Sequence, residues 1–433
     1  MPGGLPPQPK YGLRPSAGEH RTGYTPQHGR GGLLTHHGRL TMIFNTFSYF
    51  LLFLVPAAIG FRIAGARWQP WVCFFFGAAF FVFFSLTQIG GAAGAFCLII
   101  FLWESAFSRL YKPGSWLCLA GIAQALVFLI IFKYWNFLTG LVLGPPPQNP
   151  WYWAGAFLPL GISFFTFEFI HYAVDRYRGT AERGKLADYL AFILFFPTMV
   201  AGPIKRYPDF AAKLTQPSLE WAQDWELGIT RILVGLAKKF AIADLLSAFT
   251  VHLNMADIGQ AERWALPLWL LAYGVKIYVD FSAYSDIAIG SARLFGIKVP
   301  ENFSWPYTRT NIAEFWAHWH ISLTQWLTDY VFIPLGGSRR APRRVYLNVL
   351  TTLAVSGLWH GAGLNFLVWG LWHGVLLAGH RIWKSWRPPS AQPSLWGAAA
   401  GWALTFVSVN LGWAFFCMDL PTALFFFRRI SGV

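Results

Sequence analysis

Four stretches place ionisable or hydroxylated side chains inside strongly apolar sequence, where such groups are costly and mark function by default. In Tyr278-Val-Asp280-Phe-Ser282-Ala-Tyr284-Ser285-Asp286, two carboxylates and four hydroxyls share one apolar run. At helical spacing Asp280 meets Tyr284 and Ser282 meets Asp286, each four residues on. One reading is a self-satisfied polar seam that locks helices together, and the other is a pair of functional carboxylates. The partners already supplied at i,i+4 favour the seam.

The other three stretches carry histidine. In Phe315-Trp-Ala-His318-Trp319-His320-Ile-Ser-Leu, the residues Phe315, Trp319, Leu323, Trp326 and Tyr330 fall on one helical face. That spacing predicts one amphipathic helix lying at, or dipping into, the membrane interface. His318 then reads as a solvated interfacial residue, while His320, beside Trp319, stays open between a structural and a reactive role. In Ser356-Gly-Leu-Trp359-His360-Gly-Ala-Gly, Gly357 and Gly361 form a small-xxx-small pair that admits another backbone. A histidine among glycines has room beside it for a substrate; the competing reading is a core histidine bonded to a carbonyl. Gly-Leu-Trp-His-Gly then recurs with His373. On one unbroken helix His360 and His373 would stand about 20 Å apart and about 220° around. They can share a centre only if the helix breaks, which Gly361 and Gly363 permit, and one of the two is expected to be structural.

The chemistry these residues offer is proton transfer by imidazole near neutral pH. No Walker-type glycine loop, His-Glu-x-x-His or Gly-x-Ser-x-Gly elbow competes with it. The cysteines, Cys73, Cys97, Cys118 and Cys417, lie in apolar runs without metal-ligand spacing and read as small buried hydrophobes. No bound metal is expected.

The elements that must position these groups are membrane helices. Of 433 residues 55% are hydrophobic and 12% charged, against about 25% charged in a soluble domain. Mean hydropathy is +0.42. Such a chain cannot cover a globular surface with polar groups, and its 23 Trp and 41 Phe suit interfacial anchoring. The net charge of +15 comes from bases in short loops, such as Lys205-Arg206 and Arg339-Arg340 with Arg343-Arg344. That placement fits cytoplasmic loops facing anionic lipid headgroups, and it argues against nucleic acid as a partner.

Apolar runs start near Phe44, Trp71, Gly91, Trp116, Trp153, Leu186, Leu227, Leu268, Tyr346, Leu364 and Trp396. At about 20 residues per span they predict an all-α polytopic membrane protein of roughly 10–11 spanning or re-entrant helices. Pro159, Gly161 and Glu168, then Pro197 and Gly202-Pro203, interrupt the middle runs. Broken helices at membrane depth require burial in protein or a wet cavity, so a cavity is expected there. Residues 1–41 are a basic, Gly/Pro-rich tail expected to be disordered. Met42 stands directly before the first apolar run and is expected to be the true start, with 42–433 forming one membrane domain.

Taken together and in order, these segments resemble the membrane-bound O-acyltransferases, in the bacterial branch that holds alginate O-acetylation protein and the D-alanyl transfer protein of teichoic acids. The matching stretches are Pro159-Leu-Gly-Ile-Ser-Phe-Phe-Thr-Phe, Phe196-Pro-Thr-Met-Val-Ala-Gly-Pro-Ile, Asp280-Phe-Ser-Ala-Tyr-Ser-Asp, Glu301-Asn-Phe-Ser-Trp-Pro-Tyr, Phe315-Trp-Ala-His-Trp-His-Ile-Ser-Leu, Phe332-Ile-Pro-Leu-Gly-Gly and Ser356-Gly-Leu-Trp-His-Gly. The resemblance implies a helix ring around a thin centre crossed by a tunnel. It puts the reactive histidine on His360 and a second functional histidine on His320, where other branches carry asparagine. Trp319, Trp359, Asp280, Tyr284, Asp286, Asn302 and Ser356 are expected to line or support the tunnel.

It further implies an acyl thioester such as acetyl-CoA as donor substrate, with no tightly bound cofactor. The acceptor would be an exported polysaccharide, the partners membrane lipid and a periplasmic acyltransferase, and the location the bacterial inner membrane. D-alanyl transfer to an envelope polymer, and a non-enzymatic transporter or channel with histidines in a proton path, are the rival readings. The chain departs from its relatives at Ala317-His318, where they usually read Arg-Arg. Any phosphate-anchoring task of those arginines would pass to Arg309 or to the Arg339–Arg344 cluster.

Overall fold

A computed structural model describes residues 43–88, 91–386 and 394–432; the tail and Met42 lie outside them. The chain is 75% helical, with no strand among the described residues. In chain order, the helices that matter to the site are α1 (Gln69–Gln88), α2 (Gly91–Phe107), α3 (Trp116–Leu143), α4 (Ile162–Arg178), α5 (Trp221–Lys238) and α6 (Ala265–Leu294). They continue as α7 (Ile312–His318), α8 (Ile321–Leu327), α9 (Pro342–His360), α10 (Leu364–Ser385), α11 (Leu395–Cys417) and α12 (Leu420–Ser431).

Among the described residues, three helical stretches are long and apolar enough to cross a membrane: Gln69–Leu86, Trp116–Leu143 and Leu395–Cys417. Several other helices carry charges that pair inside the protein. Glu168 on α4 accepts from Lys205, and Arg62 and Arg293 clamp the fully buried Asp224 at 2.7 and 2.6 Å.

The interrupted middle of the chain is buried in protein. The run beginning near Trp153 forms a regular helix only from Ile162, because Pro159 precedes it and Gly161 takes a left-handed conformation, φ 71°. The next run stops at Ile193 and leaves a single turn, Phe196–Met199.

Apolar packing falls into two clusters. The first gathers aromatic residues from α1, α2, α4 and Phe192–Phe196, and is completed by Leu323, Trp326, Leu327 and Trp359 from far along the chain. The second joins Phe315, Trp316, Trp319, Trp369 and Trp413 from α7, α10 and α11. α9 and α10 form a tight antiparallel hairpin. Gly357 faces the carbonyl of Phe366, and Gly370 faces that of Leu353, so closely that neither position has space for a Cβ. The small residues thus admit a backbone, as the pattern predicts. Beside Gly357 and Gly361 themselves, that space is taken by α10 and the Phe366 ring.

Candidate active site

The predicted single helix from Phe315 to Tyr330 is two helices. α7 ends at His318, and His320 sits in the left-handed region at φ 43°, ψ 54° before α8 begins. The cause is a competing partner: Ser304 N–H donates to His318 O at 3.1 Å and Ile321 N–H donates to Asn302 O at 2.9 Å. Backbone groups that would continue the helix are taken by residues 302–304. Left-handed backbone at a non-glycine residue is strained and collects at functional sites. The break also divides the apolar stripe, sending Phe315 and Trp319 to one cluster and Leu323 and Trp326 to the other. His320 stands at the junction.

A hydrogen-bond chain fixes the His320 ring. One end of the Asn302 amide faces Ser322 N–H at 3.3 Å, Ser322 Oγ at 2.9 Å and His320 Nδ1 at 3.0 Å. A backbone N–H can only donate, so that end is the oxygen. The Asn302 Nδ2 then donates to Ser285 Oγ on α6 at 3.2 Å, and Ser322 Oγ accepts from Ile204 N–H at 3.0 Å. An imidazole nitrogen facing an oxygen that only accepts must carry the proton, so neutral His320 has its hydrogen on Nδ1. Its buried Nε2 is a bare lone pair, with no hydrogen-bond partner among the described residues. Phe281 meets the ring edge-on at 4.7 Å.

His360 is placed differently. It is the last residue of α9, half-buried, and its ring packs on Trp369 at 5.1 Å and Phe416 at 5.0 Å. The helix break foreseen at Gly361–Gly363 is present, and the hairpin brings His373 to the other contact of Trp369, at 5.0 Å. Both nitrogens of the buried His373 lack partners among the described residues.

Trp359 joins the two candidate imidazoles. Its ring lies 6.0 Å from that of His320 and 4.7 Å from that of His360. It stacks on Phe167 at 5.1 Å, and its indole N–H donates to Ser163 O at 3.3 Å. His320, Asn302, Trp359 and His360 are therefore one constellation. Trp319 supports it from the second cluster, packed against Phe303 at 5.1 Å.

Other predicted residues are arranged otherwise. Asp280 and Asp286 do not pair with Tyr284 and Ser282 along α6. Lys239 holds Asp280 at 3.0 Å, while Arg231 and Lys238 hold Asp286 at 2.5 and 2.6 Å. Bases on the neighbouring helix make far stronger partners for carboxylates than hydroxyls do. The hydroxyl of Ser282 turns back to Val279 O instead, and Tyr284 packs edge-on against Phe44. Ser356, one turn before His360, is buried, and its Oγ has no hydrogen-bond partner among the described residues.

His318 is half-exposed and bonds Glu314 O at 2.7 Å through Nδ1. Arg309 donates internally to Ser304 O, whereas Arg339, Arg340, Arg343 and Arg344 are exposed at the start of α9. Two cavities, about 280 and 160 Å³, flank α8. The first is lined by Ala317, Ile321 and Thr328, the second by Lys205, Arg206 and Lys298, and Gln325 reaches both. Among the described residues no group of three or more His, Cys, Asp and Glu side chains is set to hold a metal ion.

Ser322, Ser163, Lys133 and Tyr134 also hold this constellation, although no motif singles them out. Lys133, a lone cation in an apolar span, was itself the available signal.

Residues 76–418 match the membrane-bound O-acyltransferase family, MBOAT. The chain is 33% identical over 389 residues to the probable alginate O-acetylase AlgI of Pseudomonas putida, covering 87% of this chain and 77% of that protein. It is 31% identical to the peptidoglycan O-acetyltransferase of Helicobacter pylori, over 90% of this chain and 80% of that one. Identity to the teichoic acid D-alanyltransferase of Bacillus subtilis is 30%, over 65% and 72% of the two chains. A purely transporting role has no place in that company. Matched over residues 76–418 by the family and along most of its length by these O-acetylases, the chain is a member of the membrane-bound O-acyltransferase family and an O-acyltransferase.

Proposed function

We propose that this enzyme takes an acetyl group from a cytoplasmic thioester, acetyl-CoA, and passes it through the inner membrane, which the chain crosses many times, for O-acetylation of an exported polysaccharide. The observation that carries the reading is the convergence of His320 and His360 on Trp359. In this reading His360 takes the proton of an attacking hydroxyl. The oxygen bonds to the thioester carbonyl carbon, the C–S bond breaks, and the proton passes to the departing thiolate, which leaves ester and free thiol. General-base help of this kind is worth roughly 10²–10⁴-fold.

Neutral His320 offers an acceptor at Nε2, so it orients the donor by receiving a hydrogen bond and does not itself donate one to the developing oxyanion. An asparagine oxygen accepts in the same way, which fits the asparagine expected there in other branches. Around one cavity beside α8, Lys213 and Lys298 offer cations for the phosphates of a nucleotide-bearing donor, while Lys205 is held by Glu168 and Arg206 by Asp329. A periplasmic acyltransferase completes transfer to the polymer.

Identity is somewhat higher to the O-acetylases of Pseudomonas putida and Helicobacter pylori, 31–33% over 87–90% of the chain, than to the D-alanyltransferase, 30% over 65%, which supports acetyl over D-alanyl. The test is acyl transfer from radiolabelled acetyl-CoA by membranes containing the wild type, His360→Ala or His320→Ala. CoA release by wild type that is lost in His360→Ala at equal expression supports the reading. Turnover with a carrier-bound D-alanyl donor, and none with acetyl-CoA, replaces it with the D-alanyl alternative.

A further inference from the structure

A helix leaves its last four carbonyls without intrahelical donors. At the end of α9 the chain turns extended, with φ −164° at Gly361 and −165° at Gly363, so the following residues do not wrap back to cap it. Two of the final carbonyls, Leu358 O and Trp359 O, are instead met from α3. Tyr134 OH donates to Leu358 O at 2.5 Å, and Lys133 Nζ donates to Trp359 O and, at 2.9 Å, to Ser163 Oγ. Consecutive residues of one helix thus cap consecutive carbonyls of another. Both sit in a π turn, Ile130–Tyr134, which locally rewinds an otherwise apolar span. Such turns are frequent at functional sites.

Lys133 is half-buried in a stretch long and apolar enough to cross the membrane. Its bonded partners among the described residues are neutral oxygens. A lysine in such a place needs a reason. The helix terminus supplies one, because the C-terminal end of the macrodipole attracts a cation. Lys133 Nζ also lies 5.8 Å from the centroid of the Trp359 ring, whose N–H is held by Ser163 O. Carbonyl, ring and N–H of Trp359 are all secured by Lys133 and Ser163, one residue before His360.

We propose that Lys133, assisted by Tyr134, is a positioning residue for catalysis: a cationic cap supplied in trans by α3 that fixes the end of α9 and thereby the reach of His360. This rests on the assignment of His360 as the catalytic base. Without the cap the last turn frays, and His360 spends less time where it can take a proton.

Two measurements on the full-length enzyme in lipid nanodiscs test this separately from donor identity. The first is hydrogen exchange of the peptide spanning residues 355–363, which needs no substrate. Lys133→Met should raise its exchange rate about tenfold, as expected for local opening of an uncapped turn, and Lys133→Arg should restore protection. Tyr134→Phe should give a smaller rise. The second is acetyl-CoA turnover. Lys133→Met should lower kcat about tenfold or more, with KM for acetyl-CoA within about twofold, as for a residue acting on the chemical step.

Unchanged exchange in Lys133→Met overturns the cap. Raised exchange with wild-type kcat overturns its role in catalysis. Equal losses in Lys133→Met and Lys133→Arg show that shape, not charge, is what matters, and also overturn the proposal. If Lys133→Met does not accumulate, Tyr134→Phe and Lys133→Gln decide by the same criteria. Absence of acetyl-CoA turnover in wild type counts against the donor, while the exchange result stands on its own.

Discussion

The two histidines beside Trp359 are held by opposite means. His320 is fixed through its side chain: an amide oxygen shared with Ser322 dictates which nitrogen carries the proton, and a strained backbone aims the ring. His360 is fixed through its main chain, by standing last on a helix whose end is capped by two side chains from another helix. Side-chain anchoring specifies protonation state, and main-chain anchoring specifies position. The proposed acyl transfer uses both, since in it the donor is oriented by a defined acceptor while the base reaches the attacking hydroxyl. His373, packed among Trp316, Trp369 and Trp413 with no hydrogen-bonded nitrogen among the described residues, has neither kind of anchor.

Substitutions can break or sharpen this contrast. His360→Ala should cost most, about 10²–10⁴-fold in kcat for loss of a general base, measured as acetyl release at matched expression. If His320→Ala proves the more damaging in kcat, the assigned roles are exchanged. Next comes Asn302→Leu, which strands His320 Nδ1, Ser322 Oγ and Ser285 Oγ together. Leaving a buried polar group unmade costs about 1–3 kcal/mol, so a lower melting temperature is expected, with kcat/KM reduced about tenfold or more. Unchanged kcat/KM in that variant would show that the tautomer is set by something else.

A milder effect is expected of His320→Asn, which keeps an accepting oxygen. It should retain about tenfold more activity than His320→Ala, a difference near 1.4 kcal/mol. Equal activities would argue that Nε2 takes a proton, a task amides cannot perform. Smallest of all is His373→Leu. Replacing a buried imidazole that makes no hydrogen bond by an apolar side chain of similar size should leave kcat within about twofold and stability unchanged or slightly higher. A large kcat loss there would bring His373 into the reactive centre.

The sequence revealed the helices better than their junctions. Apolar runs located α1, α2, α10 and α11 within a few residues, because lipid and core both demand continuous hydrophobicity. The break at His320 was hidden, since the stripe from Phe315 to Tyr330 keeps helical spacing while the competing bonds come from residues 302–304. Likewise the partners of Asp280 and Asp286 lie not four residues away but at Lys239, Arg231 and Lys238. Local periodicity reports a face, and only the fold decides what meets it. His320, Asn302, Trp359 and His360 were all legible as candidates, through polar residues out of place and through family motifs. Lys133 shows in the sequence only as a lone cation in an apolar span, which belongs to no motif and gains its meaning from a helix end more than 200 residues later.

The first apolar cluster draws on residues more than 300 positions apart in the chain, from Ile43 to Trp359, and this has a consequence for how the enzyme is made. Its aromatic wall from α1, α2 and α4 leaves the ribosome early, yet Leu323, Trp326, Leu327 and Trp359 complete it only when synthesis has passed residue 359. The same late residues bring His320 and His360 together. A nascent chain paused anywhere before that point therefore has membrane helices but not yet the cluster of His320, Trp359 and His360.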